Sequence, residues 1–258
     1  MNRSSQLRMR VLGIPVDPMT MPAAIERVDE HLQVGTTQLT VLAVNPEKVY
    51  AIRSSEFLRN FFEGGGLLIP DGIGVVLSLR MQGVKSARVA GADLMPEICR
   101  LAATKGYRVF VFGSRDEVNR DACEKLRARF PELRIVGRSS GYVPLSEEES
   151  LVAAINESGA EILFVALGSP RQEEWMSRNL QRLPNVKVCQ GIGGTLDTIT
   201  GEVKRAPTLF RRLHLEWFYR LMRQPTRIGR QTKLALFAWE VGGEQLSRVL
   251  RTVVGARG

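Results

Sequence analysis

A chain of 258 residues with 44% apolar side chains can bury a full core, so the composition fits one main domain of the open α/β size plus an appendage. The net charge of +9 is uneven: 12 basic and 4 acidic residues lie from Thr200 onward, a net +8, which leaves +1 for the first 199 residues and implies an anionic partner for the tail. Three widely spaced cysteines in apolar segments exclude a disulfide framework and point to reduced structural thiols in a cytosolic setting, and no charge-free window of about 18 residues exists to span a bilayer.

The first ten residues, MNRSSQLRMR, are basic, but VLGIPVDPMTMP then brings in Pro and Asp before any long apolar run, so no signal peptide is expected. From there β-rich runs alternate with helical patterns. A helix is predicted over about 19–34, a strand at LTVLAV (39–44), a helix over 46–63 and a strand at LLIP (67–70). Next come a helix over 93–105, the strand RVFVFG (108–113), a helix over 116–130 and the strand LRIVG (133–137). A helix over 146–158, the strand EILFVALG (161–168), a helix over 170–183 and the strand VKVCQGIGG (186–194) complete the series. This alternation predicts an α/β fold: a Rossmann-like, mainly parallel sheet with helices on both faces, spanning residues 1–200. After Gly201 the chain turns helical, Arg-rich and aromatic, and residues 201–258 read as a basic helical appendage that associates with a membrane.

In such sheets ligands sit beyond the carboxyl ends of the strands, which directs attention to the residues after each apolar run. IPDGIG (69–74) sets Asp71 between a strand-ending Pro and two glycines. That carboxylate fits a turn or a helix N-cap, and equally a general base for a hydroxyl. FVFGSRDEV (110–118) presents Gly113 and Ser114 as a strand–turn–helix of the kind that holds a phosphate, yet without a complete dinucleotide fingerprint. GSPRQEEW (168–175) repeats the theme with Arg171 and Gln172. GIGGTLDTITGEVKRAP (191–207) is either a flexible joint or a loop whose Thr195 and Asp197 contact a ribose or base. His31 and His214 have no partners at metal-ligand spacing, so neither a metal nor any other cofactor is expected.

The ordered set VNPEKV, IPDGIGVV, RVAGADLM, VFVFGS, LGSPRQEEW, GIGGTLD, VKRAP and LEWFYRL resembles the WecG/TagA/CpsF glycosyltransferases over nearly the whole chain. The resemblance implies a metal-independent, inverting transfer of a sugar from a UDP-sugar to a sugar on polyprenyl diphosphate, during synthesis of a surface polysaccharide. N-acetylmannosamine, its uronic acid and glucose are the family's donor sugars. By the same resemblance Asp71 is the base, Asn45, Arg88 and Gln172 line the polar pocket, and Tyr142 and Asp197 lie near the uridine. Arg220, Arg227 and Arg230 match appendage arginines of the family. One position departs: Ala43 stands where several members carry Thr, so the pocket lacks a hydroxyl.

Pro225 is expected to break the appendage helix, so that Arg220 ends one segment while Arg227 and Arg230 share a face at the start of the next and hold the acceptor diphosphate. The expected partners are therefore the UDP-sugar, the lipid-diphosphate acceptor and an anionic membrane surface, with the protein peripheral on the cytoplasmic face. Exposed apolar residues in the appendage leave homo-oligomerisation open. A nicotinamide-dependent oxidoreductase would need a glycine fingerprint after its first strand, and VLAVNPEK has none. A nucleic-acid-binding protein would use the tail on phosphates and show a steep salt slope; no nucleic-acid partner is expected here.

Overall fold

The computed structural model describes residues 7–203, 206, 207, 210 and 228–255. It opens with a hairpin, β1 (Met9–Val11) and β2 (Ile14–Val16), turning through Leu12 and Gly13 at φ of 49° and 84°. Strands of three residues are too short to show a two-residue period, so the sequence predicts neither. Then follow α1 (Met21–Val34), β3 (Leu39–Val44), α2 (Pro46–Arg53), α3 (Glu56–Glu63), β4 (Leu67–Pro70), α4 (Ile73–Met81) and α5 (Gly91–Lys105). The second half runs β5 (Arg108–Gly113), α6 (Asp116–Arg129), β6 (Arg134–Ser139), α7 (Glu148–Glu157), β7 (Ile162–Ala166), α8 (Arg171–Asn179), β8 (Val188–Gly191) and α9 (Thr195–Thr200). A long helix, α10 (Ile228–Gly255), ends the described chain.

The helix expected over 46–63 is two helices. Ser54 turns its hydroxyl back to the Tyr50 carbonyl at 2.9 Å, and Ser55 leaves helical geometry to cap the Leu58 N–H of α3. A capping serine thus outweighs a continuous apolar pattern. Helix α4 was hidden by its composition, because IGVVLSLRM is apolar on nearly every side and has no polar cap. The Gly-rich stretch after β8 is not an open joint but carries α9.

The main sheet has six parallel strands in the order β4-β3-β8-β7-β5-β6. All carboxyl ends therefore share one edge. Helices cover both faces: α1, α5, α6 and α9 pack over Val41, Ile69, Val111 and Phe164, while α2, α3, α4, α7 and α8 pack over Leu42, Leu68, Phe112 and Val165. The alternation of neighbouring strand residues between the two layers follows from the pleat. Helix α10 joins the second layer against α2 and α4, burying Phe237 and Val241 and pairing Glu240 with Arg53. Gly74 in α4 accommodates this contact, since a Cβ there would lie 3.1 Å from the Phe237 ring.

Cys99, Cys123 and Cys189 are free and buried. Burial pushes the Cys123 thiol up to about 11 and the other two higher still, so none is poised as a thiolate. Among the described residues no helix is long and apolar enough to cross a membrane.

Candidate active site

Strand β3 leads toward β4 on one side, whereas β8 leads to α9, which packs on α6 toward the other. The chain diverges between β3 and β8, and a crevice at such a divergence is where ligands bind in open α/β sheets. Asn45 follows β3 there, Gly193 follows β8, and Asp71 stands one strand away at the end of β4.

Asp71 continues the sheet edge by donating its N–H to the Val44 carbonyl at 2.9 Å. Its side chain does not cap the following helix: the N-cap of α4 is Gly72, which makes no side-chain bond. Instead the carboxylate turns to the opposite face. Oδ2 accepts the Gly91 N–H at the start of α5 (3.2 Å), and Oδ1 faces Nε and Nη2 of Arg88, each at 3.5 Å. The Val89 N–H bonds the Pro70 carbonyl at 2.9 Å, which brings the segment carrying Arg88 and Gly91 alongside β4. A helix N-terminus and a guanidinium thus converge on one carboxylate, whose side chain remains 22% exposed. Gly72, at φ 136°, lets this turn approach α2, since a Cβ there would lie 3.1 Å from Pro46 and 3.5 Å from the Asn45 Cβ.

Asn45 caps α2, its Oδ1 accepting the Lys48 N–H at 2.8 Å. Gln172, in the first turn of α8, is buried and reaches across to β8, where its Oε1 accepts the Gly193 N–H at 3.1 Å. Arg171 reaches the other way, to the Gly141 carbonyl at 3.3 Å. Asn45, Asp71, Arg88 and Gln172 therefore gather around the ends of β4, β3 and β8.

Gly113, Ser114 and Tyr142 lie farther along the same edge, beyond β7, whereas Asp197 is carried by α9, which follows β8 and packs on α6. Gly113 sits at φ 121° with the Ala166 backbone where a Cβ would be, at 2.5 Å. Its neighbour Ser114 donates its N–H to Ala166 and accepts the Gly141 N–H at 2.7 Å, so the turns after β5 and β6 are bonded together. That backbone donor is therefore spent within the fold, and the first turn of α6 already holds its own carboxylates, Asp116 and Glu117. Tyr142 is 71% exposed at this edge. Asp197 lies in the first turn of α9, which is drawn toward the β5 turn by an ion pair between Arg115 and Glu202. A separate cleft of about 190 Å³ opens on the α7–α8 face over Phe112, Leu167 and Trp175, rimmed by Arg171 and Arg178; Asp71 and Arg88 are not part of it.

Four residues at the first group escaped the sequence reading. Gly91 supplies an amide to Asp71; Glu173 pairs with Lys48 beneath Gln172; and Gln190 donates to the Gly91 carbonyl at 3.1 Å. Gln190 carried a readable signal, as the lone amide in an otherwise apolar strand. Gly91 did not, because a backbone donor has no residue-type signature. Ala43 lies in this layer, with its Cβ 3.6 Å from where a Gly91 Cβ would be, so a hydroxyl at position 43 would enter the space shared by Gly91 and Gln190. Arg220 and Arg227 lie outside the described residues, and Arg230 falls in the first turn of α10.

A parallel sheet with an acid, a guanidinium and a carboxamide gathered at its carboxyl edge agrees with one family model, that of the glycosyl transferase WecG/TagA/CpsF family, which matches residues 9–251. The match takes in every strand of the sheet and nearly all of α10, so this chain belongs to the WecG/TagA/CpsF family and is a glycosyltransferase of cell-surface polysaccharide synthesis.

Proposed function

We propose that the protein transfers a sugar, with inversion, from a UDP-sugar to a polyprenyl-diphosphate-linked sugar, using Asp71 as general base and no metal. The reading rests on one observation above the others: Asp71 is oriented by Gly91 and Arg88 at the strand edge, with its carboxylate partly open to a substrate. In the reaction the acceptor hydroxyl gives its proton to Asp71 as its oxygen attacks the anomeric carbon from the face opposite the leaving UDP. The C–O bond to the diphosphate breaks and its electron pair leaves with UDP. Arg88 and the N-terminus of α5 supply fixed positive potential near the site, and the uridine is read by Tyr142 and Asp197. The glycine-rich turn at Gly113 and Ser114 shapes that end of the donor site. The basic appendage, with Arg220, Arg227 and Arg230, brings the enzyme to the anionic cytoplasmic surface and meets the acceptor diphosphate.

A panel of UDP-sugars, including N-acetylmannosamine, its uronic acid and glucose as donor sugars, tests this against lipid-diphosphate acceptors ending in N-acetylglucosamine or glucose. One pair is expected to give product with an inverted anomeric centre by NMR, at a rate unchanged by EDTA. Retained configuration, or a rate abolished by EDTA and restored by Mg²⁺, would remove the mechanism.

A further inference from the structure

Beneath the first group, Lys48 and Glu173 form an ion pair at 2.7 Å with side chains only 11% and 1% exposed. Glu173 Oε1 accepts from both Lys48 and the Gln172 amide, at 2.7 and 3.2 Å. Its other oxygen, Oε2, is buried without a hydrogen-bond partner among the described residues. Stability does not account for this arrangement. Apolar side chains of similar volume are commonly as stable as a buried ion pair or more so, and an unpaired carboxylate oxygen in the interior is destabilising.

Orientation does account for it. The Gly193 N–H can only donate and the Glu173 carboxylate can only accept, so the Gln172 carboxamide between them has a single orientation: Oε1 to Gly193 and Nε2 to Glu173. Gly191 admits this close approach, because a Cβ there would lie 2.7 Å from Gln172 Nε2. Through its backbone N–H, Lys48 also holds Asn45. A continuous path of Asn45, Lys48, Glu173, Gln172 and Gly193 thus joins the ends of β3, β7 and β8.

We infer that the Lys48–Glu173 pair is a positioning device that locks the Gln172 carboxamide, and with it the Gly193 turn, in register with Asn45 for the donor sugar. Its value for the reaction rests on the transferase reading above; the lock itself does not. Amide hydrogen exchange by NMR on the full chain, together with turnover, tests both. In K48M/E173M, where no acceptor faces Gln172, the Gly193 amide is expected to exchange about tenfold faster and kcat to fall about tenfold, the worth of one hydrogen bond, with the melting temperature held or raised. In K48M/E173Q the new amide oxygen can accept from Gln172, so protection and most of the turnover are expected to return. Unchanged Gly193 exchange in K48M/E173M overturns the lock, and faster exchange with unchanged kcat overturns its role in the reaction. If the parent shows no transfer with any donor, the transferase reading fails while the exchange result still decides the lock. Should K48M/E173M not fold, the parent decides it: a Gly193 amide exchanging as fast as exposed glycines sinks the proposal.

Discussion

At Asp71 the two carboxylate oxygens meet different groups: Oδ2 is held by the Gly91 N–H and Oδ1 faces Arg88. Asn at position 71 keeps an oxygen for Gly91 but has no basic carboxylate. Asp71→Asn is therefore expected to keep the fold and the affinity for UDP, measured by calorimetry, while turnover falls by roughly 10²- to 10⁴-fold, the usual worth of a positioned base. Near-parental turnover would take Asp71 out of the mechanism. The sequence made Asp71 conspicuous as a carboxylate flanked by Pro70 and Gly72, yet left a base and a helix cap equally open. That the carboxylate turns to α5 depends on Gly91, which is 20 residues away in the chain and next to it in space.

Among the elements, the β5–α6 turn shows how glycine sets a strand end. Gly113 combines φ 121° with backbone atoms of Ala166 at 2.5 Å from any Cβ, so neither its torsion nor its surroundings admit a side chain. Gly113→Ala is expected to destabilise the protein by about 2–5 kcal/mol in urea unfolding, by adding overpacking to a strained torsion. A change below about 0.5 kcal/mol would show that the two strand ends do not meet as closely as described. Strand cores such as LTVLAV and RVFVFG were legible because four to six apolar β-formers bounded by turn residues have few other readings. Element ends were less so. Ser55 divides α2 from α3 through one side-chain hydrogen bond, and α4 has no polar face for a period to reveal.

For the molecule as a whole, the question is how the basic tail relates to the sheet domain. Helix α10 contributes Phe237 and Val241 to the layer built by α2 and α4, with Phe237 against Gly74 in the first turn of α4. Phe237→Ala is expected to lower stability by about 3–5 kcal/mol and to expose α10 to limited proteolysis. A loss under about 1 kcal/mol would mean that α10 is a dispensable attachment. The proposed acceptor contact belongs at this scale too. Arg227→Ala and Arg230→Ala are expected to slow transfer to a short-chain, water-soluble lipid-diphosphate acceptor in detergent without anionic lipid. Normal rates there for both variants and their double, with a defect on membranes only, would reduce these arginines to a lipid-facing surface. Composition and periodicity by themselves determined the α/β class, the parallel sheet, the charged tail and the residues at the strand ends, because these are local properties carried by short stretches of chain. Tertiary structure alone decided which strand ends meet, that Asp71 is held by α5, that Gln172 reaches Gly193 over a buried Lys48–Glu173 pair, and that α10 packs on α4. Each of these is a contact between segments far apart in sequence, and no local pattern encodes the partner.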